Sequence, residues 1–254
     1  MSGSHVHALY LHGHSPIHRF APQIKIATAF GALLAIVTTP REAIWAFGVY
    51  AAAVATVAAI AGITPGYAAR RMVVEIPFLI LAAMLPIFGS GPTTEILGMD
   101  LSIAGMWDAW NIVAKATLGL SIAVVLSATT EVTEMLSGLD GLRVPAVVTA
   151  IAGFMIRYVD VIAGDWSRMR VAMASRGHDA RWFGQIGPYA RTIGVVFVRT
   201  FERGERVYLA MASRGYTGTM PQATQPATPA SQWATSAVVI GAAWLLCAIA
   251  WMLR

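Results

Sequence analysis

The chain has 254 residues, of which 57% are hydrophobic and 12% charged, with a formal net charge of +5. Soluble domains carry about 25% charged residues, so the composition excludes an ordinary globular protein and points to a membrane one. The single cysteine, Cys247, excludes a disulfide framework or a cysteine-based metal site within one chain. In the absence of any groove-reading motif, the basic balance reads as cytoplasmic loops and not as nucleic-acid binding.

Residues 1–22 form a cytoplasmic tail. It has no apolar h-region and no small-residue cleavage site, so it is no signal peptide, and membrane entry falls to the first spanning helix. Five of the six histidines lie between His5 and His18. His5 and His7, like His12 and His14, are paired at a spacing of two and are chemically fit for Zn, Ni or Co. The alternative is an exposed tail in which His18 makes a structural contact, and no metal site is assigned.

Five segments are expected to span a bilayer: 24–38, 43–63, 73–88 (with Pro77 and Pro86), 112–128 and 233–253. The first four fall in a membrane region at 23–130 and the last in 233–254. A sixth candidate, 145–164, contains Arg157 and Asp160, which are costly at a bilayer centre; it is expected to lie partly embedded against other helices. Arg19, Lys25, Arg70, Arg71, Arg143 and the arginines from Arg157 to Arg214 fall on one side, whereas the loop 89–107 has only Glu95 and Asp100. That asymmetry places the N-terminus inside and the C-terminus outside. Glu75 is expected to pair with Arg71, Arg157 with Asp160, and Lys115 to snorkel. Trp45, Trp107, Trp110, Trp233 and Trp251 read as interfacial anchors.

Residues 131–216 form a cytoplasmic helical region, followed by a flexible linker at 217–232 rich in Pro, Thr and Gln. Gly138, Gly141 and Pro145 break the chain after 131–137. One helical pattern then runs to Ser175, and after a polar turn with Gly184, Gly187 and Pro188 a second runs to Ser213. Glu202 with Arg206, and Arg199 with Glu202, have the spacing of helix-surface pairs.

Residues 173–177 and 211–215 both read Met-Ala-Ser-Arg-Gly, thirty-eight residues apart, and Arg168 aligns with Arg206 at the same offset. Glycine closing a helix and arginine complementing its dipole explain part of the pattern. They leave the recurrence of Met, Ala and Ser unexplained. Small residues allow close approach, and a guanidinium fork suits a carboxylate. Two such ends suit a partner present in two copies.

These motifs resemble those of the T component of energy-coupling factor (ECF) transporters, whose cytoplasmic coupling helices carry two short Ala-Arg-Gly-type motifs ahead of a final span. The matching sites are Ala174, Ser175, Arg176 and Gly177, and Ala212, Ser213, Arg214 and Gly215, with Ser in place of the commoner Ala before each arginine. Residues 13–25, Gly-His-Ser-Pro-Ile-His-Arg-Phe-Ala-Pro-Gln-Ile-Lys, are similar to the family's opening pattern. They differ at Ala21, Pro22 and Gln23, where the family more often has Asp-Pro-Arg. The histidines and the short length favour the cobalt-type, CbiQ-like branch.

The resemblance implies an all-α, polytopic membrane protein with about five transmembrane helices and long amphipathic coupling helices. It would be a multi-pass protein of a bacterial inner membrane, binding no nucleic acid and no cofactor. Its partners would be two ABC-type ATPase subunits, which hydrolyse the ATP, and a substrate-binding membrane subunit (S component). The cargo would be cobalt or nickel, or alternatively a vitamin. Gly153, Ala163, Gly164, Gly194 and Ala210 are small enough to let the coupling helices cross closely. A self-sufficient metal permease or an intramembrane enzyme would need converging ligands or catalytic pairs inside the spans, which the sequence does not place there.

Overall fold

Apolar blocks opened by proline and closed by glycine or threonine become helices along most of the chain. The computed structural model describes residues 11, 13, 15–89, 92–96, 99–178, 187–217 and 228–253. Its helices are α1 Pro22–Thr38, α2 Ile44–Ile60, α3 Pro65–Met72, α4 Ile76–Phe88, α5 Ile103–Thr129, α6 Val132–Gly141, α7 Ala146–Ser175, α8 Gly187–Ala212 and α9 Ala230–Met252. A 3-10 turn, Val73–Glu75, joins α3 to α4, so that Pro65–Phe88 is one long apolar stretch. Proline stands in the first turn of α1, α3 and α4, where its missing N–H costs no hydrogen bond.

Four stretches are long and apolar enough to cross a membrane: Pro65–Phe88, Ile103–Thr129, Ala146–Ser175 and Ala230–Met252. The expected first two spans, α1 and α2, are helices of 17 residues each, about 26 Å long and at the lower limit for a span. The sixth candidate is the front of one continuous helix of 30 residues, α7.

Several local expectations are corrected. The fourth span begins at Ile103, well before residue 112, because Ser102 caps it by accepting from the Gly105 N–H at 3.3 Å. The loop before it contains an antiparallel hairpin, β1 Thr93–Ile96 and β2 Met99–Ser102, with Glu95 opposite Asp100. Gly138 and Gly141 do not break the chain. They lie within α6, where a Cβ at Gly138 would strike the backbone of Pro22 and Gln23 and one at Gly141 the Gln23 side chain. The turn comes instead at Arg143, the one non-glycine among the described residues with positive φ (61°).

Two compact units divide the chain: Leu9–Leu142 with Pro226–Arg254, and Arg143–Gln225 with Met1–Ala8. In the first, α1, α2, α5 and α9 share a core of Ala35, Ile36, Ala46, Phe47, Tyr50, Leu118 and Ala243. Helices α1 and α9 run parallel, with Ala21 N–H donating to Gln232 Oε1 at 3.0 Å, Thr28 bonded to Ser236 at 2.7 Å, and Thr38 near Cys247 at 3.4 Å. No side chain caps α1 at Ala21, but Gln23 bonds to Thr228, so polar contacts do form at this departure from the family pattern. Helix α5 runs back against α1, since buried Lys25 donates to Thr129 O at 2.8 Å.

The N-terminal segment is locked to this same end. Leu11 N–H donates to Ala128 O at 3.0 Å, while His18 bonds Ser15 Oγ at 2.7 Å through Nδ1 and Leu11 O at 3.1 Å through Nε2. His18 is therefore a structural residue. His5, His7, His12 and His14 lie outside the described residues, as do Gly184 and Arg254.

At the opposite end, Lys115 does not simply snorkel. Its Nζ donates to Val37 O at 2.7 Å, and Trp251 Nε1 donates to Thr38 O at 2.9 Å. The expected Glu75–Arg71 pair is replaced as well. Glu75 is buried and accepts from Thr117 Oγ1 at 2.6 Å, while the Arg71 guanidinium lies 4.7 Å above the Tyr67 ring.

Candidate functional site

The second unit holds both copies of the repeat. Helix α7 ends in a Schellman closure: His178 N–H donates to Met173 O at 3.1 Å and Gly177 N–H to Ala174 O at 3.0 Å, with Gly177 at φ +75°. After α8 the same bonds recur, Tyr216 N–H to Met211 O and Gly215 N–H to Ala212 O, both 3.0 Å, with Gly215 at φ +86°. Glycine is needed because the closing residue is left-handed, where a Cβ meets the backbone. Even the serines match, Ser175 Oγ donating to Ala172 O and Ser213 Oγ to Ala210 O, each at 3.0 Å.

Each closure leaves Ala, Ser, Arg and Gly exposed: Ala174, Ser175, Arg176 and Gly177 at one tip, and Ala212, Ser213, Arg214 and Gly215 at the other. Neither Arg176 nor Arg214 bonds a side chain or carboxylate among the described residues. Each tip therefore presents an exposed five-donor fork, unpaired among the described residues, on a surface of small residues. At a helix C-terminus the carbonyl partial charges complement the cation. Chemically, such a tip can enter a pocket and grip a carboxylate in bidentate fashion.

Helices α7 and α8 pack on each other through the Arg203–Asp165 ion pair at 3.0 Å, Thr192 Oγ1 to Met173 Sδ at 3.2 Å, and Tyr189 against Trp166 and His178. Asp165 also accepts from Arg168. Sequence spacing missed this cluster. The pairs it favoured, Arg157 with Asp160 and Glu202 with Arg199 or Arg206, do not close among the described residues. Nor do Gly164 and Gly194 make a close crossing. A Cβ at Gly194 would meet nothing within 4 Å, and one at Gly164 only the Arg168 side chain. The side of α8 flanking the contact face carries an exposed apolar row, Ile193, Phe197, Phe201 and Tyr208, whose spacing is that of one helix face.

Long apolar helices, a buried core shared by helices from both ends of the first unit, and a helical second unit define an all-α multi-pass membrane protein with one small hairpin. The cobalt transport protein (CbiQ) family model matches residues 13–226. The chain belongs to that family. It is 25% identical over 251 residues, 92% of its own length, to a putative fused cobalt transport protein CbiMQ of Methanocorpusculum labreanum. It is 29% identical over 151 residues, 58% of its length, to the cobalt transport protein CbiQ of Rhodobacter capsulatus. The chain covers 41% and 59% of the lengths of these two relatives.

Proposed function

We propose that this chain is the transmembrane coupling (T) component of an ECF-type importer. It passes ATP-driven motion from two ABC-type ATPase subunits to a separate substrate-binding membrane subunit. The names of the relatives favour cobalt as the cargo. The carrying observation is the pair of helix closures with matching hydrogen bonds, each with an exposed arginine that is unpaired among the described residues. One acidic pocket on each ATPase receives one tip, and ATP hydrolysis belongs to those subunits. The exposed row Ile193, Phe197, Phe201 and Tyr208 is an apolar surface of the kind a membrane-embedded partner covers.

Chain parity supports this placement. Helix α5 ends, and α9 begins, at the Lys25 end of the first unit, because Thr129 O meets Lys25 and Gln232 meets Ala21. The segment between them leaves and returns on one side, so α7 and α8 both cross the bilayer or neither does. Helix α8 carries Arg191, Arg199, Glu202, Arg203, Glu205 and Arg206 and is not one of the four helices apolar enough to cross. On this reading neither helix crosses, although α7 by itself is long and apolar enough to do so, and Arg176 and Arg214 share one side. The arginine and lysine balance of the sequence supports reading that side as the cytoplasmic side of the cell's inner membrane, with the N-terminus there too.

Co-purification of the ATPase pair and uptake of radioactive cobalt test the reading. Arg176→Glu or Arg214→Glu should weaken both, and the double reversal should abolish both. ATPase binding and uptake that survive the double reversal would overturn it.

A further inference from the structure

The two copies of the repeat are identical at the helix ends and differ where the helices meet. Asp165 and Arg203 are thirty-eight residues apart, the offset that relates Met173 to Met211 and Arg168 to Arg206. They are equivalent positions of the repeat, and they bond to each other, Arg203 Nη2 donating to Asp165 Oδ2 at 3.0 Å. When two copies of one element face each other about a local two-fold axis, a residue near the axis meets its own counterpart. An identical charged residue in both copies would then repel itself. Here the equivalent positions carry opposite charges, while beyond them the two copies are identical only at Arg168/Arg206 and from Ala172/Ala210 through both Met-Ala-Ser-Arg-Gly closures.

The contact is enclosed. The side chains of Asp165 and Arg203 are 14% and 30% exposed, and Arg203 Nη1 is buried with no hydrogen-bond partner among the described residues. Arg168 holds the same carboxylate from one turn further along α7. A partly buried pair held from two sides differs from the fully solvated surface bridges that contribute little. Arg176 and Arg214 each lie eleven residues beyond it, about 16 Å along a helix.

We propose that the Asp165–Arg203 pair is the pivot of the α7–α8 crossing. It is a positioning contact that fixes the separation of the two arginine tips and transmits force from one helix to the other. Its role in transport rests on the coupling reading; its geometry does not.

Double electron–electron resonance on the full chain in lipid nanodiscs tests it, with spin labels at Ser175→Cys and Ser213→Cys and with Cys247→Ser. All variants carry Arg168→Gln, so that a cation placed at 165 meets no like charge one turn away. The parent should give one narrow distance distribution. Asp165→Arg and Arg203→Asp should each broaden or displace it, and the double swap should restore it. Asp165→Asn, which keeps the shape, should broaden it as well and serves if a reversal is not recovered from the membrane. In the unlabelled complex the single reversals should retain ATPase co-purification yet lose at least tenfold in cobalt uptake, which the double swap recovers. An unchanged distribution in the single variants, or a double swap that does not restore it, overturns the pivot. If the distances follow the pattern while no ATPase binds, the pivot stands and the coupling reading fails.

Discussion

Gly105→Ala probes a close helix approach in the first unit. A Cβ on Gly105 would strike the Leu85 carbonyl and Pro86 Cα, backbone atoms of α4. The carbonyl cannot swing aside, since it accepts from Gly89 N–H at 2.8 Å, and Pro86 has a fixed φ. Helix α4 must therefore move off α5 as a body. Overpacking of this kind costs up to about 3 kcal/mol, offset by about 0.5–1 kcal/mol for replacing glycine with alanine in a helix. The net loss is about 2 kcal/mol, or a melting temperature lower by about 4–8 °C. Cys247 supplies the assay: it is the sole cysteine and buried in α9, so a thiol-reactive fluorophore reports opening of the bundle in detergent on heating. Gly48→Ala in α2, where a Cβ meets nothing within 4 Å, is the matched control and should hold or raise the melting temperature. Equal melting of Gly105→Ala and the parent would refute the close approach of α4 to α5.

Two further substitutions test other contacts. At Gly177 and Gly215 a Cβ would have open space but a left-handed backbone. Alanine at either should cost about 1 kcal/mol, enough to speed amide exchange at His178 or Tyr216 by about fivefold, and unchanged protection would contradict the closure. Lys25→Met should leave Thr129 O and His18 O without their buried donor and destabilise by about 1–3 kcal/mol. The thiol melt reads this loss directly, and the parent's melting temperature in the variant would show the bonds to be dispensable.

Features that are local in the chain were legible in the sequence. Apolar blocks located the helices of the first unit, and Gly177 and Gly215 located both helix closures, because left-handed closure is a demand a single residue meets. What escaped depends on neighbours distant in sequence. Trp107, Asp108 and Asn111 lower the hydropathy of the first turns of α5, so its start at Ile103 was missed, although the Ser102 cap was a usable signal. Gly138 and Gly141 were read as breakers because close approach to Pro22 and Gln23 cannot be seen in one segment. The Glu75–Arg71 pairing assumed regular α-helical spacing. The 3-10 turn Val73–Glu75 alters that spacing and gives Glu75 to Thr117. Asp165–Arg203, thirty-eight residues apart, was hidden from any i,i+4 reading.

The Thr38 end of α1 has a consequence for the lipid around it. A helix of 17 residues is shorter than a bilayer's hydrocarbon thickness of about 30 Å, and such hydrophobic mismatch is commonly relieved by thinning the bilayer. Terminal carbonyls otherwise need water, which would hold the helix end at the headgroups. Here Lys115 and Trp251 supply the missing donors to Val37 and Thr38 from neighbouring helices. With those donors in place, the carbonyls at the end of α1 do not depend on water, so their hydrogen bonding sets no demand on the acyl-chain length around this helix.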